Sequence, residues 1–116
     1  MDIQKLRAAG IDVEKGVKRF GGKTELYEKY LLRFPTEGTY GEMLTAIEAK
    51  DYTAAFKCAH MLKGVVGSLN IDRLYEKVVP LVEALRNNEL SHLEEQTEAV
   101  KQCYESSVKA ILEQEA

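Results

Sequence analysis

Apolar residues recur along the chain at the i, i+3, i+4 spacing of a helix, and no stretch shows the strict alternation of a half-buried strand. This pattern predicts an all-α fold. Two short helices are expected first. Asp2 can cap one that ends near Ala9–Gly10, and Asp12 can cap another that ends at Phe20–Gly22.

Longer helices follow on either side of the first proline. One spans Thr24–Phe34 and stops there, because the residue before a proline is driven out of the helical region. The segment Pro35–Gly38 is then expected to be a loop. Thr39 and Glu42 have the spacing of a capping box, which predicts a second helix that ends at Ala49.

The next two helices are separated by a single turn. Asp51 is the expected cap of a helix that ends near Leu69–Asn70, and Asp72 opens its successor, which ends near Asn87–Asn88. Pro80 lies inside that successor. Because an interior proline removes a backbone hydrogen bond and costs about 3 kcal/mol, we expect a kink or a short break there. The residues expected to point inward from this helix are Leu74, Val78, Leu81, Val82 and Leu85.

A long final helix follows a second capping box, formed by Ser91 with Glu94. The residues of its expected buried stripe are Leu93, Val100, Tyr104, Val108, Ile111 and Leu112. No repeat, low-complexity tract or linker interrupts this series of helices.

Long helices joined by short loops predict an antiparallel up-down-up-down four-helix bundle with short extra N-terminal helices. The length of the chain predicts one domain over residues 1–116. Three members of the bundle are the consecutive helices that begin after Asp51. The fourth stays open between Thr24–Phe34, Thr39–Ala49 and both stacked as one broken helix.

The helix capped by Asp51 separates into two faces when its residues are placed about 100° apart. One face is a continuous apolar stripe made of Ala55, Cys58, Leu62, Val65, Val66 and Leu69. His60 points almost opposite this stripe. The residues around it are Thr53, Phe56, Lys57, Lys63, Gly64 and Gly67.

The glycines on this face argue against an ordinary surface histidine between two solvating lysines. Glycine inside a helix costs about 0.8–1 kcal/mol relative to alanine, yet Gly64 and Gly67 both lie on the face of His60. They remove side chains that would block a partner from the imidazole, whose free base is nucleophilic near neutral pH. Lys57 and Lys63 lie one turn away on either side and would neutralise a phosphate. The pattern therefore predicts a phosphate-accepting histidine.

The run His60-Met61-Leu62-Lys63-Gly64, followed by Gly67 and Leu69, resembles the signature of the histidine-containing phosphotransfer (HPt) domain. Similarity to the family extends over most of the chain. It includes Gly10–Val13, Arg19–Gly22, Glu25–Tyr27, Phe34 and Lys50–Asp51. Two residues depart from the family pattern, Asn70, where glycine is common, and Pro80. Asparagine tolerates the left-handed conformation next best after glycine, so Asn70 affects only a turn.

The resemblance implies the same bundle and a phosphoryl carrier without a kinase or phosphatase site of its own. Such a domain moves a phosphoryl group from the aspartate of one receiver domain to that of another. His60 would carry the group, and Lys63 would stabilise the phosphate and the charge of the transfer, with Lys57 as a second contributor. Gly64 and Gly67 would allow close approach.

The same resemblance implies the partners of the chain. These are response-regulator receiver domains and, upstream of them, a hybrid histidine kinase. Mg²⁺ belongs to the receiver, and no cofactor is expected on this chain.

Several alternatives remain open. Phe56 is either a hydrophobic docking contact or a partly buried residue that packs on the short N-terminal helices. The alternative function is a non-phosphorylated adaptor that binds receivers or other signalling partners, although the joint presence of His60, Lys63 and Gly64 argues against it. A histidine-kinase dimerisation helix is a weaker alternative, since Met61 stands where an acidic residue is normal.

Composition excludes further classes. A formal net charge of -3 argues against nucleic acid as a generic partner, and neither a run of about 18 apolar residues nor a signal peptide is visible. A di-iron bundle would need Glu-x-x-His pairs, but position 57 is lysine and His92 is expected at the surface near Ser91. Cys58 and Cys103 lack metal or redox spacing and indicate reduced core thiols of a cytoplasmic protein. A monomer is expected.

Overall fold

Seven α-helices and two short 3-10 segments make up the computed structural model, which describes residues 1–115, and no strand occurs within that range. The helices are α1 (Ile3–Ala8), α2 (Val13–Arg19), α3 (Thr24–Arg33), α4 (Thr39–Glu48), α5 (Tyr52–Ser68), α6 (Asp72–Arg86) and α7 (Leu93–Leu112). The 3-10 segments are Phe34–Thr36 and Glu113–Glu115. Over the same range, no helix has the length and apolar character needed to span a membrane.

Helices α4 to α7 form the bundle, and each packs against the next in chain order. Short connections make consecutive members antiparallel. Tyr40 of α4 stacks on Tyr104 of α7 with ring centroids 3.6 Å apart, which brings the first and last members together. Helix α3 and the Phe34–Thr36 segment also pack against α7. The predicted all-α, up-down-up-down bundle with short N-terminal helices is confirmed. Of the candidates that the sequence left open for the fourth member, α4 packs on α5, and α3 with the Phe34–Thr36 segment packs on α7, so both contribute to it.

The buried faces agree fully with prediction on α6 and partly on α7. All five residues expected to point inward from α6 are buried. On α7, Cys103 and Ser107 are buried, whereas Leu112 is 49% exposed and Tyr104 is half-buried. Ser107 is accommodated in the core because its hydroxyl donates to the Cys103 carbonyl oxygen at 2.9 Å.

The buried face of α5 is turned slightly from the predicted stripe. Ala59 is fully buried, whereas Cys58 and Val65 are only half-buried. Both cysteines carry free thiols, and burial raises the pKa of each. Cys103 is therefore a core thiol as predicted, and Cys58 lies at the edge of the core.

The predicted aspartate caps are confirmed. The side chains of Asp2, Asp12 and Asp51 each accept a hydrogen bond from the backbone N–H three residues on, at distances of 3.0 to 3.2 Å. Asp51 thereby fixes the first turn of α5, the helix that carries His60.

Both predicted capping boxes are wrong. The N–H and hydroxyl of Thr39 donate to Glu37, and those of Ser91 donate to Glu89. Each hydroxyl is thus engaged by a carboxylate two residues upstream, and neither α4 nor α7 has a side-chain cap.

Neither proline interrupts the helical structure in the way that the sequence predicts. The segment Phe34–Thr36 is a 3-10 turn rather than a loop, because the fixed φ of proline suits the first positions of a helical turn. Helix α6 is continuous through Pro80, so of the predicted kink or short break, the break is wrong. Pro80 and Glu76, four residues before it, are both exposed. Water can therefore hydrogen-bond the Glu76 carbonyl that lacks its helical partner.

Helices α1 to α3 close one end of the bundle by docking on the turn between α5 and α6. The Asp12 N–H donates to the Asn70 carbonyl oxygen at 2.9 Å, and the Tyr27 hydroxyl donates to that of Leu69 at 2.7 Å. Asn70 has a φ of +52°, in the left-handed region that its residue type tolerates. The C-terminal end of the His60 helix is thereby tied to the N-terminal part of the chain.

Candidate functional site

His60 lies in the middle of α5 on its exposed side. Its chain neighbours differ, since Ala59 is fully buried and Met61 is 60% exposed. The structure places all the sequence-predicted site residues on the side of the helix around His60. They are Phe56, Lys57, Lys63, Gly64 and Gly67, of which Phe56, Lys63 and Gly67 are half-buried.

An open groove of about 470 Å³ begins at His60 and follows α5 towards its C-terminal end. Its walls come from three helices and the α5–α6 turn. The lining includes Lys63, Gly64 and Gly67 of α5, Tyr75 of α6, Asn70 of the turn and Arg19 of α2. The imidazole is therefore reached from solvent along a path bordered by Lys63 and the two glycines, with Arg19 and the carboxylate of Asp72 near the α5–α6 turn.

The two glycines of the groove differ in what surrounds them. A Cβ atom on Gly64 would have no atom within 4 Å beyond its chain neighbours and the backbone of α5, so the surface beside His60 is open there. A Cβ atom on Gly67 would lie 3.2 Å from Cε2 of Tyr75. Gly64 therefore leaves space for a partner, whereas Gly67 makes room for a ring of α6.

The two lysines are placed differently around the histidine. Lys63 is half-buried and lines the groove, whereas Lys57 is exposed and lies outside it. Among the described side chains, the ion pairs join other residues, so both lysines are available to an incoming anion. Their spacing of three residues to either side of His60 places one positive charge on each flank.

Phe56 packs against the histidine itself. The two rings are one turn apart on α5, with centroids 5.9 Å apart and an angle of 23° between their planes. The guanidinium of Arg86, at the end of α6, lies 5.4 Å from the Phe56 centroid. Phe56 is half-buried, as one of its two alternatives expected, but the N-terminal helices dock around Asn70, about four turns along α5, so it does not pack on those helices.

Arg19 is a groove residue that reasoning from the sequence did not assign. Its Nε donates to Oδ1 of Asn70 at 2.8 Å, and Nδ2 of Asn70 donates to Oδ1 of Asp72 at 3.1 Å. The guanidinium is thus held at the far end of the groove while its residue remains exposed. No helical periodicity could have revealed this, because Arg19 and Asn70 are 51 positions apart.

The other histidine has a different environment. His92 precedes α7 and lies beside a surface hollow that also contains Glu94, Glu95 and Glu98. A phosphate there would face carboxylates, whereas a phosphate on His60 would face Lys63. Among residues 1–115, no three His, Cys, Asp or Glu side chains converge in the manner of a metal site.

The chemistry available at His60 is that of an exposed nitrogen nucleophile flanked by positive charge. Its neighbours Gly64, Lys63 and Phe56 provide space, charge and a packing surface. This combination favours the transfer of an anionic group between two proteins over catalysis in an enclosed pocket.

A family model described as "Hpt domain" matches residues 36–110. The match begins at the end of the 3-10 turn before α4 and extends through most of α7, so it includes the whole of α5 and His60. Comparison with curated proteins and with solved structures finds no match.

Proposed function

Since the chain belongs to the Hpt domain family, we propose that it is the phosphoryl carrier of a two-component phosphorelay. His60 accepts a phosphoryl group from the phospho-aspartate of one receiver domain and passes it to the aspartate of another. The proposal includes no kinase or phosphatase site on this chain.

The observation that carries the proposal is the open surface beside an exposed histidine. His60 is accessible in the middle of a long helix, and apart from its chain neighbours and the backbone of its own helix nothing stands within 4 Å of the position where a side chain at Gly64 would begin. The phosphorylated aspartate of a receiver lies in a recess of the receiver's surface. The acceptor nitrogen of His60 can reach it only if no large side chains around His60 keep the two proteins apart. Helix α5 offers such a face.

The transfer itself balances without another reactant. The lone pair of a neutral ring nitrogen of His60 attacks phosphorus, a P–N bond forms, and the P–O bond to the receiver's aspartate breaks. The aspartate leaves as a carboxylate with the bonding pair, and the imidazole proton passes to solvent. In the second transfer the aspartate of the other receiver attacks phosphorus, a P–O bond forms, and the P–N bond to His60 breaks.

The lysines stabilise the negative charge of the phosphoryl group and form or break no covalent bond. Lys63, at the wall of the groove, stabilises the phosphoryl oxygens in the transition state, and Lys57 contributes from the exposed flank. In this proposal Mg²⁺ is supplied by the receiver, and the carrier acts as a cytoplasmic monomer.

A transfer assay with a phosphorylated receiver tests this function. The full chain is incubated with a receiver domain labelled on its aspartate, and label that is acid-labile and base-stable is measured on the carrier. We expect uptake by the wild-type chain and by His92→Gln, and no uptake by His60→Gln. Because both histidines are exposed, both variants should fold normally.

The adaptor alternative gives a different result in the same assay. A chain that binds the phosphorylated receiver in a pull-down yet takes up no label would be an adaptor. Undiminished uptake by His60→Gln would remove His60 as the carrier.

A further inference from the structure

We propose that Phe56 is a positioning residue for His60, and that Arg86 of α6 holds Phe56 in place. The proposal deepens the phosphoryl-carrier function and rests on it for the identity of the reacting histidine. It replaces the interpretation of Phe56 as a docking contact with a role that needs no partner.

The geometry joins three side chains from two helices. Phe56 faces His60 with centroids 5.9 Å apart and planes inclined by 23°, which is an offset-stacked arrangement. Arg86 lies over the Phe56 ring at 5.4 Å from its centroid. The guanidinium is anchored in turn, since its Nη1 donates to Glu83 Oε1 at 2.6 Å. Phe56 is therefore in contact with a restrained cation of α6 and with the imidazole.

Burial makes Phe56 the fixed member of its pair with His60. It is half-buried and packs against the hydrophobic core, whereas His60 is exposed. An exposed side chain on a helix exchanges between χ1 rotamers unless a neighbour selects one. Side chains on a helix lean towards its N-terminus and meet the residue four positions earlier, which for His60 is Phe56. The ring contact thus selects one orientation of the imidazole.

The selected orientation leaves the other side of His60 open. Packing on Phe56 occupies the N-terminal side of the imidazole, while Gly64, four residues on, has no side chain to cover the C-terminal side. Lys63 borders this open side in the groove. The nucleophilic ring is thereby held ready beside open space and positive charge, and reaction from a held orientation avoids the loss of side-chain freedom at the transition state.

Phosphoramidate allows a test without any protein partner. A neutral ring nitrogen attacks phosphorus, the P–N bond of the donor breaks, and ammonia leaves with the bonding pair and takes up the imidazole proton as ammonium. The rate of phosphorylation is followed separately at His60 and His92 by NMR. His92 serves as a reference within the same molecule.

Phe56→Leu removes the ring and keeps an apolar side chain. We expect phosphorylation at His60 to slow by about fourfold, because two helical χ1 wells and two broad χ2 orientations then become accessible. The ring-current shifts of the His60 ring protons and their nuclear Overhauser contacts to residue 56 should disappear together. Rates and shifts at His92 should not change.

Three further variants separate positioning from general disruption. Phe56→Tyr retains the ring and should restore the wild-type rate and shifts. Arg86→Gln changes an exposed residue, so the variant should keep the fold. It should slow phosphorylation at His60, as Phe56→Leu does, but by a smaller factor. Tyr30→Leu removes an aromatic ring that is 44% exposed on α3, away from His60, and should have no effect on the rate.

Unchanged rates at His60 in folded Phe56→Leu, or in Arg86→Gln if the former does not fold, would overturn the proposal. So would a loss of rate that Phe56→Tyr fails to restore. Failure of a receiver to label wild-type His60 is a separate result, which would overturn the phosphorelay function while the comparison with phosphoramidate still decides the role of Phe56.

Discussion

The ring of Tyr75 lies against Gly67, so that a Cβ atom on this glycine would sit 3.2 Å from Cε2 of the ring. Gly64, one turn earlier on the same face, has open space at the equivalent position. The two glycines therefore serve different ends. Gly64 exposes the surface beside His60, and Gly67 lets α6 approach α5.

Alanine at the two glycines should separate these roles by stability. Gly64→Ala should raise the free energy of unfolding by up to about 1 kcal/mol, since alanine is the better helix former and meets nothing. Gly67→Ala should gain less or lose stability, because Tyr75 must shift. Urea denaturation measures both. In a Tyr75→Ala background, Gly67→Ala should recover the gain seen at Gly64. Equal changes at the two glycines in the wild-type background would contradict the assignment.

A larger side chain at Gly64 should block a protein donor and spare a small one. Gly64→Gln places an amide beside His60, so the rate of transfer from a phosphorylated receiver should fall by at least tenfold. A tenfold loss corresponds to a steric cost of about 1.4 kcal/mol. The rate of phosphorylation by phosphoramidate should stay within about twofold of wild type. Gly64→Ala is the matched control and should affect both donors little. Parallel losses with both donors would refute a role of Gly64 in access.

Removal of the lysines should reveal their unequal placement. Lys63→Ala should slow transfer to His60 or shorten the life of the phosphohistidine more than Lys57→Ala does, because Lys63 lines the groove and is half-buried. Transfer and hydrolysis rates are compared at low salt and near 1 M salt, where exposed charges are screened. If Lys63→Ala matches the wild type in both rates at low salt, this lysine contributes only to solubility.

Asn70 should be more sensitive to alanine than to glycine. Its φ of +52° costs an ordinary L-residue about 1–2 kcal/mol. Both variants lose the hydrogen bonds to Arg19 and Asp72, but only Asn70→Ala adds backbone strain. The difference between their unfolding free energies should therefore be about 1 kcal/mol in favour of glycine. Two variants of equal stability would place the whole effect in the side-chain hydrogen bonds.

The Tyr40–Tyr104 stack should make the protein sensitive to alkali. Burial, and then the charge of Glu105, raises the pKa of Tyr40 to about 12 from the usual 10.0. The unfolded chain loses this proton near pH 10 and the folded chain near pH 12, so the stabilisation is complete below pH 10 and is lost as the pH rises through this window. Tyr40→Phe should weaken the fall in stability between these values, as measured by urea denaturation at successive pH values. Tyr30→Phe, at an exposed ring, is the control, and an equal fall in Tyr40→Phe and wild type would be inconsistent with this account.

Much of the bundle is predictable because its signals are local. Helical periodicity predicts the buried face of α6, and Asp51 caps its helix through a hydrogen bond only three residues long. The Thr39 and Ser91 capping boxes fail for an equally local reason, since Glu37 and Glu89 lie close enough to accept their hydroxyl protons first. The capping-box motif therefore does not predict which of several nearby carboxylates and backbone groups the Thr or Ser side chain will bond.

The candidate site is predictable only along its own helix. The positions of Lys57, Lys63 and Gly64 around His60 follow from helix geometry. Arg86 and Tyr75 come from α6, and their contacts with Phe56 and Gly67 depend on how closely two helices pack. The spacing of residues along α5 does not predict the distance between α5 and α6.

The docking of the N-terminal helices on the α5–α6 turn has a consequence for the order in which the molecule assembles. The hydrogen bonds from Tyr27 to Leu69 and from Arg19 to Asn70 close loops of 42 and 51 residues. The packing among α4 to α7 is chiefly between consecutive helices and closes shorter loops, and the Tyr40–Tyr104 stack between the first and last of them is the long-range exception. Because the entropy lost on closure grows with loop length and local topologies form faster, we expect the bundle to fold before α1 to α3 attach. In reverse, transient opening of this attachment releases Arg19 and leaves the His60 helix packed in the bundle.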